Sequence, residues 1–275
     1  MQQPIVNINV NSKLDSAANM WGSHAYYLAA RMAHDTHIPR HHYHAGARQR
    51  LIDFSEAFTA WDRFDHAAAA SLLKQHHSLA SRFFCSQLEV IEYLANTDPK
   101  QAQTRILWHL LDLRNNASRK AKLGMFDDAM ARVYRLIEWS AQWIIRESFG
   151  WETDDLPRDA IPKEIILSRN SRSGQWQAGL VSAWLLAARS DIDGVSEFIN
   201  CEFDTIVEFM NRRNYSILAH GDQPINSQHW DQISQWLDAQ FMPMIMRLAT
   251  TYAGSFTKQT SDFQLPITYP EELMV

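Results

Sequence analysis

Long segments of this chain contain almost no glycine or proline, and apolar residues recur in them every three to four positions. The 275-residue sequence has nine glycines and nine prolines, the two residue types that most often interrupt a helix. Apolar residues at that spacing line up on one face of an α-helix. We therefore predict an all-α fold that packs as a helical bundle. The predicted helices cover residues 19–34, 46–61, 65–76, 79–96, 99–123, 126–149, 174–189, 192–220 and 227–253.

Two short segments near the termini differ from this helical pattern. Residues 5–11 alternate apolar and polar side chains from Val6 onward, which is typical of a strand, and residues 263–269 could form another. If the two segments pair, they form a minor β element that brings the termini together. If they do not pair, both are disordered tails.

The sequence also suggests where the chain divides. Turn-forming residues around Asp98 and Pro99 predict a boundary between an N-terminal helical connector module, residues 1–97, and a second domain, residues 98–275. Residues 150–173 are rich in proline, aspartate, arginine and serine and predict a loop inside the second domain. A plain connection is the default interpretation of this loop, and a lid or a substrate-contacting insertion is the alternative.

Composition and charge narrow the possible functions. The formal net charge of −5 argues against a protein that coats nucleic acid electrostatically, because such binding needs a broad basic surface. No signal peptide pattern and no apolar run of eighteen residues occurs, so we predict a cytoplasmic protein. Cys85 and Cys201 match no metal-ligand spacing, which predicts two buried free thiols. We expect neither a metal nor another cofactor.

The run from Arg212 to Gly221, with the sequence RRNYSILAHG, combines a cation, a carboxamide and an imidazole. If one helix carries the run, Arg213 and His220 share a face, because seven residues return almost to the same azimuth, roughly 10 Å along the axis. Gly221 is a typical helix stop, which would place His220 in the last turn. There the helix dipole favours the imidazolium form, which donates a proton well. A guanidinium and an imidazole placed around one phosphate suit phosphodiester chemistry.

This arrangement resembles the signature of HEPN-domain ribonucleases, in which an arginine precedes a histidine by a short interval. The longer string from Asn214 to Ile225 is similar to the C-terminal motif of type III CRISPR ancillary proteins, which join a CARF sensor domain to a HEPN nuclease. Residues 121–138 resemble the helical hairpin that opens the HEPN region, and residues 61–67 resemble the connector before it. The resemblance therefore implies a HEPN-like nuclease domain at 98–275.

The resemblance implies further properties. Two such motifs meet across a homodimer in the family, so a composite cleft that cuts single-stranded RNA is expected. Family members carry a Rossmann-like CARF domain upstream, for which this sequence has little room. A cyclic oligoadenylate activator would then act through a separate or missing sensor domain.

By hypothesis, the reaction is metal-independent transesterification, in which the RNA 2′-hydroxyl attacks its own phosphate. In this mechanism His220 transfers protons, Arg213 holds the phosphate, and Asn214 orients either the imidazole or the phosphate. Arg212 and Ser216 are the predicted substrate-binding residues. Two alternatives remain open at this point: a HEPN toxin restrained by an antitoxin, and a non-catalytic helical adaptor.

Residues outside this motif are weaker candidates. Arg132, Arg135 and Arg146 could form a second cationic set, although ordinary solvated helix surface is favoured. Trp151 and Trp176 flank the 150–173 loop and could stack on RNA bases, although packing inside the protein is favoured. The histidines within residues 37–44 lack the spacing of a metal site and predict an exposed loop.

Overall fold

The structure, a computed structural model, describes residues 3–39, 41–217, 221–252 and 260–275. Its regular structure within these ranges is almost entirely helical, apart from a small antiparallel ribbon of Ser168–Arg169 and Trp176–Gln177. The all-α prediction is confirmed. No helix of the described residues is long and apolar enough to cross a membrane.

The chain divides into two compact units. Unit 1 consists of Met1–Thr97 together with Lys258–Val275, and unit 2 consists of Asp98–Thr257. The predicted second domain extended to residue 275, whereas the C-terminal segment belongs to unit 1 in the structure. Its apolar side chains explain the difference, since Phe263 and Leu273 are buried there.

Within the described residues, unit 1 contains six α-helices and three 3₁₀ turns. They are α1 (Gln3–Asn19), a 3₁₀ turn (Met20–Ser23), α2 (Tyr26–Asp35), α3 (Ala45–Asp62), α4 (His66–Gln75), α5 (His77–Phe83), α6 (Cys85–Leu94), and the 3₁₀ turns Thr260–Phe263 and Glu271–Met274. The prediction of a strand at 5–11 is wrong, because α1 covers it. Val10, Leu14 and Ala17 are buried at the spacing of a helix face, and this period continues beyond the alternation that suggested a strand.

Trp21 lies at the centre of the core of unit 1. Its ring contacts Tyr26, Phe58, Phe84 and Tyr269, with centroid distances of 4.9–5.8 Å. The indole N–H donates to the Ser55 hydroxyl at 2.9 Å, so the one polar atom of this buried side chain is satisfied. These contacts join the 3₁₀ turn Met20–Ser23, α2, α3 and the C-terminal segment in one aromatic cluster.

The C-terminal segment is held in unit 1 by hydrogen bonds as well as by packing. The Tyr26 hydroxyl donates to the Pro266 carbonyl at 2.7 Å, and Arg50 donates to the Leu273 carbonyl at 3.1 Å. Burial raises the pKa of Tyr269 above its ordinary value of 10.0. Residues 263–269 contain no strand, so this segment is neither a β partner of the N-terminus nor a loose tail.

The predicted helix 79–96 is interrupted at Phe84, which separates α5 from α6. Phe84 has φ −135° and ψ 37°, outside the α-helical region, and its ring is buried against Phe54 and Phe58. The break therefore lets this side chain enter the aromatic cluster. Cys85, the next residue, and Cys201 in unit 2 are both free and exposed, so the prediction of buried thiols is wrong.

Within the described residues, six further α-helices and the two strands of the small ribbon make up most of unit 2. They are α7 (Ala102–Lys122), α8 (Phe126–Phe149), β1 (Ser168–Arg169), β2 (Trp176–Gln177), α9 (Leu180–Ala187), α10 (Val195–Asn214), α11 (Ser227–Trp236) and α12 (Met242–Tyr252). The two longest helices, α7 and α8, pack against each other as a hairpin. Gly124 makes the tight connection with φ 75°, a conformation that residues with a Cβ rarely adopt.

An unusual feature of α7 is its buried polar face. Asp112, Arg114, Asn115, Asn116 and Arg119 are all at most 4% exposed. Arg114 forms the best-defined contact, because its guanidinium contacts both carboxylate oxygens of Asp238 at 2.7 and 2.8 Å. The hydrogen-bond geometry ties α7 to the end of α11 more specifically than apolar packing does.

The predicted helix 227–253 is present from Ser227 to Tyr252, with a π-helical turn at Leu237–Phe241 between α11 and α12, and residue 253 lies outside the described residues. Asp238 lies in that turn, where its carboxylate accepts the hydrogen bonds from Arg114. Leu237 and Phe241 are fully buried, and Phe241 contacts the rings of Trp184 and Trp236. The turn thus carries a buried aromatic anchor, Phe241, and an exposed carboxylate, Asp238, whose partner Arg114 is buried.

Candidate active site

The end of α10 carries the residues that the sequence singled out. The helix ends at Asn214, and Tyr215, Ser216 and Ile217 form a turn and an isolated bridge. The prediction of one helix running through residue 220 is therefore wrong. Two described contacts explain the early stop: Ser216 pairs with Gln223 as a parallel bridge, and the Tyr215 carbonyl accepts the Gln223 N–H at 3.3 Å.

A closed loop follows the helix. The Gly221 N–H donates to the Ser216 carbonyl at 3.2 Å. A Cβ atom at Gly221 would overlap the Tyr215 carbonyl, so only glycine allows this approach of the two backbones. His220, the predicted proton-transfer residue, lies outside the described residues.

Arg213 is held between two neighbours. Its guanidinium carbon lies 4.4 Å from the centre of the Tyr134 ring, and its Nη1 donates to the Asn214 carboxamide oxygen at 3.3 Å. A guanidinium over a ring face gains cation–π stabilisation while its edge keeps N–H donors for an anion. The structure therefore brings the Arg213 guanidinium and the Asn214 carboxamide together at a half-buried position, a contact that the sequence analysis did not predict. The predicted role of Asn214 in orienting the imidazole or the phosphate stays a prediction.

Tyr134 was not predicted from the sequence as part of this site. Burial raises the pKa of Tyr134 above 10.0, and the Glu138 carboxylate adds to that shift, while Arg213 and Arg135 oppose it. The phenol is thus neutral at physiological pH, and its ring presents a π face to the cation. A tyrosine in a long helix has no distinctive sequence signal, although residues 121–138 did resemble the family.

Arg212 points to a different neighbourhood from Arg213. Its guanidinium contacts the Glu208 carboxylate at 2.8 Å and donates to the Gln232 carboxamide oxygen at 2.7 Å. Arg213 therefore lies against α8, and Arg212 lies against α11. Because Arg212 is already paired with a carboxylate, it offers an anion less net positive charge than an unpaired arginine would.

Ser216 has a clear structural position. The residue is 2% exposed. Its carbonyl accepts the Gly221 N–H, and its backbone forms the bridge to Gln223. A contact of its hydroxyl with substrate stays a prediction.

The loop is also anchored to α8. The Ile225 N–H donates to the Asp127 carboxylate at 3.2 Å, and the Ile225 side chain is buried. Asp127 lies in the first turn of α8, where a carboxylate is favoured by the helix dipole. This bond fixes the distal end of the loop against the same helix that holds Arg213.

The second cationic set does not form a free basic patch. Arg132 pairs with Asp128 at 3.3 Å, Arg135 pairs with Glu138, and Arg146 pairs with Glu152. Their charges are therefore largely compensated on the helix surface, in agreement with the favoured interpretation. Glu138 is committed to Arg135, its neighbour one turn away.

The two flanking tryptophans are half-buried. Trp151 stacks on Phe149 with centroids 4.9 Å apart. The guanidinium carbons of Arg158 and Arg169 lie 5.8 and 5.9 Å from the centre of the Trp176 ring. Both rings thus already have partners within the protein.

Comparison with protein families places this geometry in context. A model of the Csm6 HEPN domain family matches residues 99–242, which is 144 of the 275 residues and lies within unit 2. This chain belongs to the Csm6 HEPN domain family. The match includes α7, α8, the end of α10 and the loop after it, so the resemblance predicted from the RRNYSILAHG run is confirmed.

This membership assigns the protein, in general terms, to the HEPN-type CRISPR-associated ribonucleases. Comparison with curated proteins gave no significant match. Within the HEPN region, the family assignment spans both helices that hold the Arg213 guanidinium, α8 through Tyr134 and α10 through Asn214.

Proposed function

We propose that the protein is a metal-independent endoribonuclease that cleaves single-stranded RNA by 2′-hydroxyl transesterification in type III CRISPR defence. The observation that carries the proposal is the position of Arg213, fixed by Tyr134 and Asn214 inside the matched HEPN region. A fixed cation suits this reaction because the nucleophile is already tethered to the phosphorus and needs orientation and charge stabilisation more than activation by an external group.

Each residue has a defined task in this mechanism. Arg213 binds the scissile phosphate and stabilises the additional negative charge of the pentacovalent state. Asn214 accepts a hydrogen bond from Arg213 and so orients the guanidinium. His220 transfers the proton from the 2′-hydroxyl or to the leaving 5′-oxygen. The products are a 2′,3′-cyclic phosphate and a free 5′-hydroxyl.

We further propose that two copies of the chain form the active cleft. General acid and base catalysis of one transesterification uses two proton-transfer groups, and each motif contains a single imidazole. Pairing two motifs across a homodimer supplies both groups. Each positioned proton transfer contributes on the order of 10²- to 10⁴-fold in rate.

Regulation by a cyclic oligoadenylate would then require a separate or missing sensor domain. The described part of unit 1 is helical, whereas a Rossmann-like sensor needs a parallel sheet. We therefore propose that any such activator acts through another domain or chain.

The test measures cleavage of fluorescent single-stranded RNAs in excess chelator, with and without cyclic oligoadenylates. Wild type is compared with Arg213→Ala, His220→Ala and a control, Arg189→Ala, at matched oligomeric state. Arg189 is an exposed arginine of the same unit that pairs with Glu164 at 2.7 Å. We expect cyclic-phosphate ends with wild type and the control, and a loss of at least a hundredfold in the other two variants.

Other outcomes would exclude this function. Equal cleavage by all four proteins would reveal a contaminating nuclease. Complete absence of cleavage by wild type under every condition would favour the helical adaptor. By contrast, cleavage restored in an equimolar mixture of Arg213→Ala and His220→Ala would support the function, because each subunit would then supply the residue that the other lacks in a shared cleft.

A further inference from the structure

A pocket lies beside the proposed site, between the end of α10, the loop at 221–225 and the start of α11. Its volume is about 460 Å³, and it opens to solvent. The residues that matter for its chemistry are Glu208, Arg212, Tyr215, Asp222, Gln223 and His229. Arg212 and Tyr215 flank Arg213 and Asn214 in sequence, so the pocket begins where the proposed phosphate site ends.

The charge of this pocket does not favour a phosphate. Arg212 is paired with Glu208 at 2.8 Å and hydrogen bonded to Gln232 at 2.7 Å. Asp222 adds a second carboxylate to the lining. Two carboxylates against one guanidinium repel a polyanion but accept hydrogen bonds from neutral amino groups.

Tyr215 gives the pocket an aromatic surface. Its side chain is 70% exposed, an unusual position for a large ring, while the adjacent Ser216 is buried. The Tyr215 backbone is fixed by hydrogen bonds from its N–H to Asn211 and from Gln223 to its carbonyl, at 3.0 and 3.3 Å. An exposed ring on a backbone held in place is the kind of platform on which an unpaired RNA base stacks.

We propose that this pocket receives the base of one of the two nucleotides joined by the scissile phosphate. Tyr215 stacks on that base, and the Asp222 carboxylate accepts a hydrogen bond from its exocyclic amino group. Adenine, cytosine and guanine carry such a group, whereas uracil has none and presents at C4, in place of the amino group of cytosine, a carbonyl oxygen that a carboxylate repels. The inference rests on the proposed ribonuclease function and adds a base preference to it.

The test uses oligodeoxythymidine substrates that contain a single ribonucleotide, because only that position can supply a 2′-hydroxyl. One series varies the ribonucleotide among the four bases, and the other keeps ribouridine and varies the next deoxynucleotide. In at least one series, we expect kcat/KM for uracil to be about tenfold lower than for the amino-bearing bases. Asp222→Asn should bring this ratio close to one, because a carboxamide offers both a donor and an acceptor.

Variants of the stacking residue give a second readout. Tyr215→Ala should lower kcat/KM about tenfold for every base, and Tyr215→Phe should restore it, because phenylalanine keeps the ring. The matched control is Tyr43→Ala in unit 1, a tyrosine of similar exposure at 66%. Equal cleavage of all four bases in both series, unaffected by Tyr215→Ala while Arg213→Ala abolishes it, would overturn the pocket and leave the ribonuclease proposal intact.

A binding assay separates the two proposals if wild type cleaves nothing. Fluorescence anisotropy then measures binding of deoxyadenosine, deoxycytidine, deoxyguanosine and deoxyuridine hexamers. Weaker binding of deoxyuridine, and weaker binding of the others by Tyr215→Ala, would support the pocket without catalysis. Binding that is independent of both base and Tyr215 would overturn it.

Discussion

Aromatic side chains contact other rings in both units, as Phe241 does with Trp184 and Trp236 in unit 2, but the two units differ in where arginines lie over rings. In unit 1 the Trp21 cluster consists of rings that contact other rings, and Trp21 itself is fully buried. In unit 2 Arg213 lies over Tyr134 at 4.4 Å, and Arg135 lies over Trp139 at 4.7 Å. Ring-to-ring packing excludes water, whereas a ring under a guanidinium holds a cation at the boundary with solvent.

The two units differ in the arginine–ring contacts of their interiors more than in those of their surfaces. Unit 1 also has Arg63 over Tyr27 and Arg82 over Phe83, but these rings are outside its buried cluster. In unit 2 even the buried Arg114 lies over a ring, that of Trp230 at 5.8 Å. The comparison indicates that unit 2 combines structural and cation-holding tasks in the same helices, while unit 1 is stabilised mainly by apolar burial.

The largest effect is expected for Trp21→Ala. Removing the central ring of unit 1 leaves a cavity among four other aromatic residues and should lower the free energy of unfolding by about 3–5 kcal/mol. Urea denaturation followed by circular dichroism measures this loss. Trp151→Ala, which removes a half-buried ring of unit 2, is the control and should cost less. A loss for Trp21→Ala no greater than that of the control would contradict the central role of the cluster.

Arg114→Met tests the buried cation of unit 2. It removes the hydrogen bonds to Asp238 and Ser234 but keeps the apolar stem, so we expect a loss of about 1–3 kcal/mol of unfolding free energy. The control is Arg189→Met, because the Arg189–Glu164 pair is exposed and should contribute less than about 1 kcal/mol. If the Arg114 variant is as stable as wild type, packing alone determines the position of α11.

Tyr134→Ala tests the ring that holds Arg213. A cation–π contact at a half-exposed site is worth about 0.5–1 kcal/mol, so we expect cleavage to fall by up to roughly fivefold. Tyr134→Phe keeps the ring and should remain close to wild type. Single-turnover cleavage of RNA distinguishes the two variants, and equal losses in both would show that the hydroxyl rather than the ring is required.

The smallest effect is expected at the Arg146–Glu152 ion pair. The hydrogen bond from Arg146 holds the pKa of Glu152 below its ordinary value of 4.5. The pair therefore contributes its stability above pH 4.5, and this contribution is lost as the pH falls through the lower folded-state pKa. Because both side chains are largely solvated, we expect less than about 1 kcal/mol. Comparing urea denaturation of wild type and Glu152→Gln at pH 7 and pH 3 should show a larger difference at pH 7 than at pH 3.

Helices bounded by glycine could be predicted well from the sequence. The predicted helix 126–149 coincides with Phe126–Phe149, since Gly150 ends it with φ 69° and Gly124 turns the chain before it. Elements whose limits depend on distant contacts could not be predicted. Phe84 interrupts a helix because its ring enters the Trp21 cluster, and no local pattern contains that information.

The same distinction applies to the candidate site. Arg213 and Asn214 could be identified because they belong to a recognisable motif, and the structure places them in contact. Tyr134 and Asp127 could not, because their roles depend on how α8 lies against α10 and the loop. The stop of α10 at Asn214 likewise depends on the pairing of Ser216 with Gln223, which lies nine residues beyond Asn214, and not on helix propensity.

The π-helical turn at Leu237–Phe241 has a consequence for insertions and deletions. A π turn is equivalent to an α-helix with one inserted residue, and each residue of an α-helix advances the azimuth by about 100°. The π turn therefore absorbs its additional residue locally, and Ile245 and Leu248 of α12 remain buried. Deleting Ala239 would let the segment regain a regular α-helix with little rotation of α12 relative to α11. Length changes of one residue should therefore be tolerated better at this turn than in the regular helices beside it, where each would rotate the following residues by about 100°.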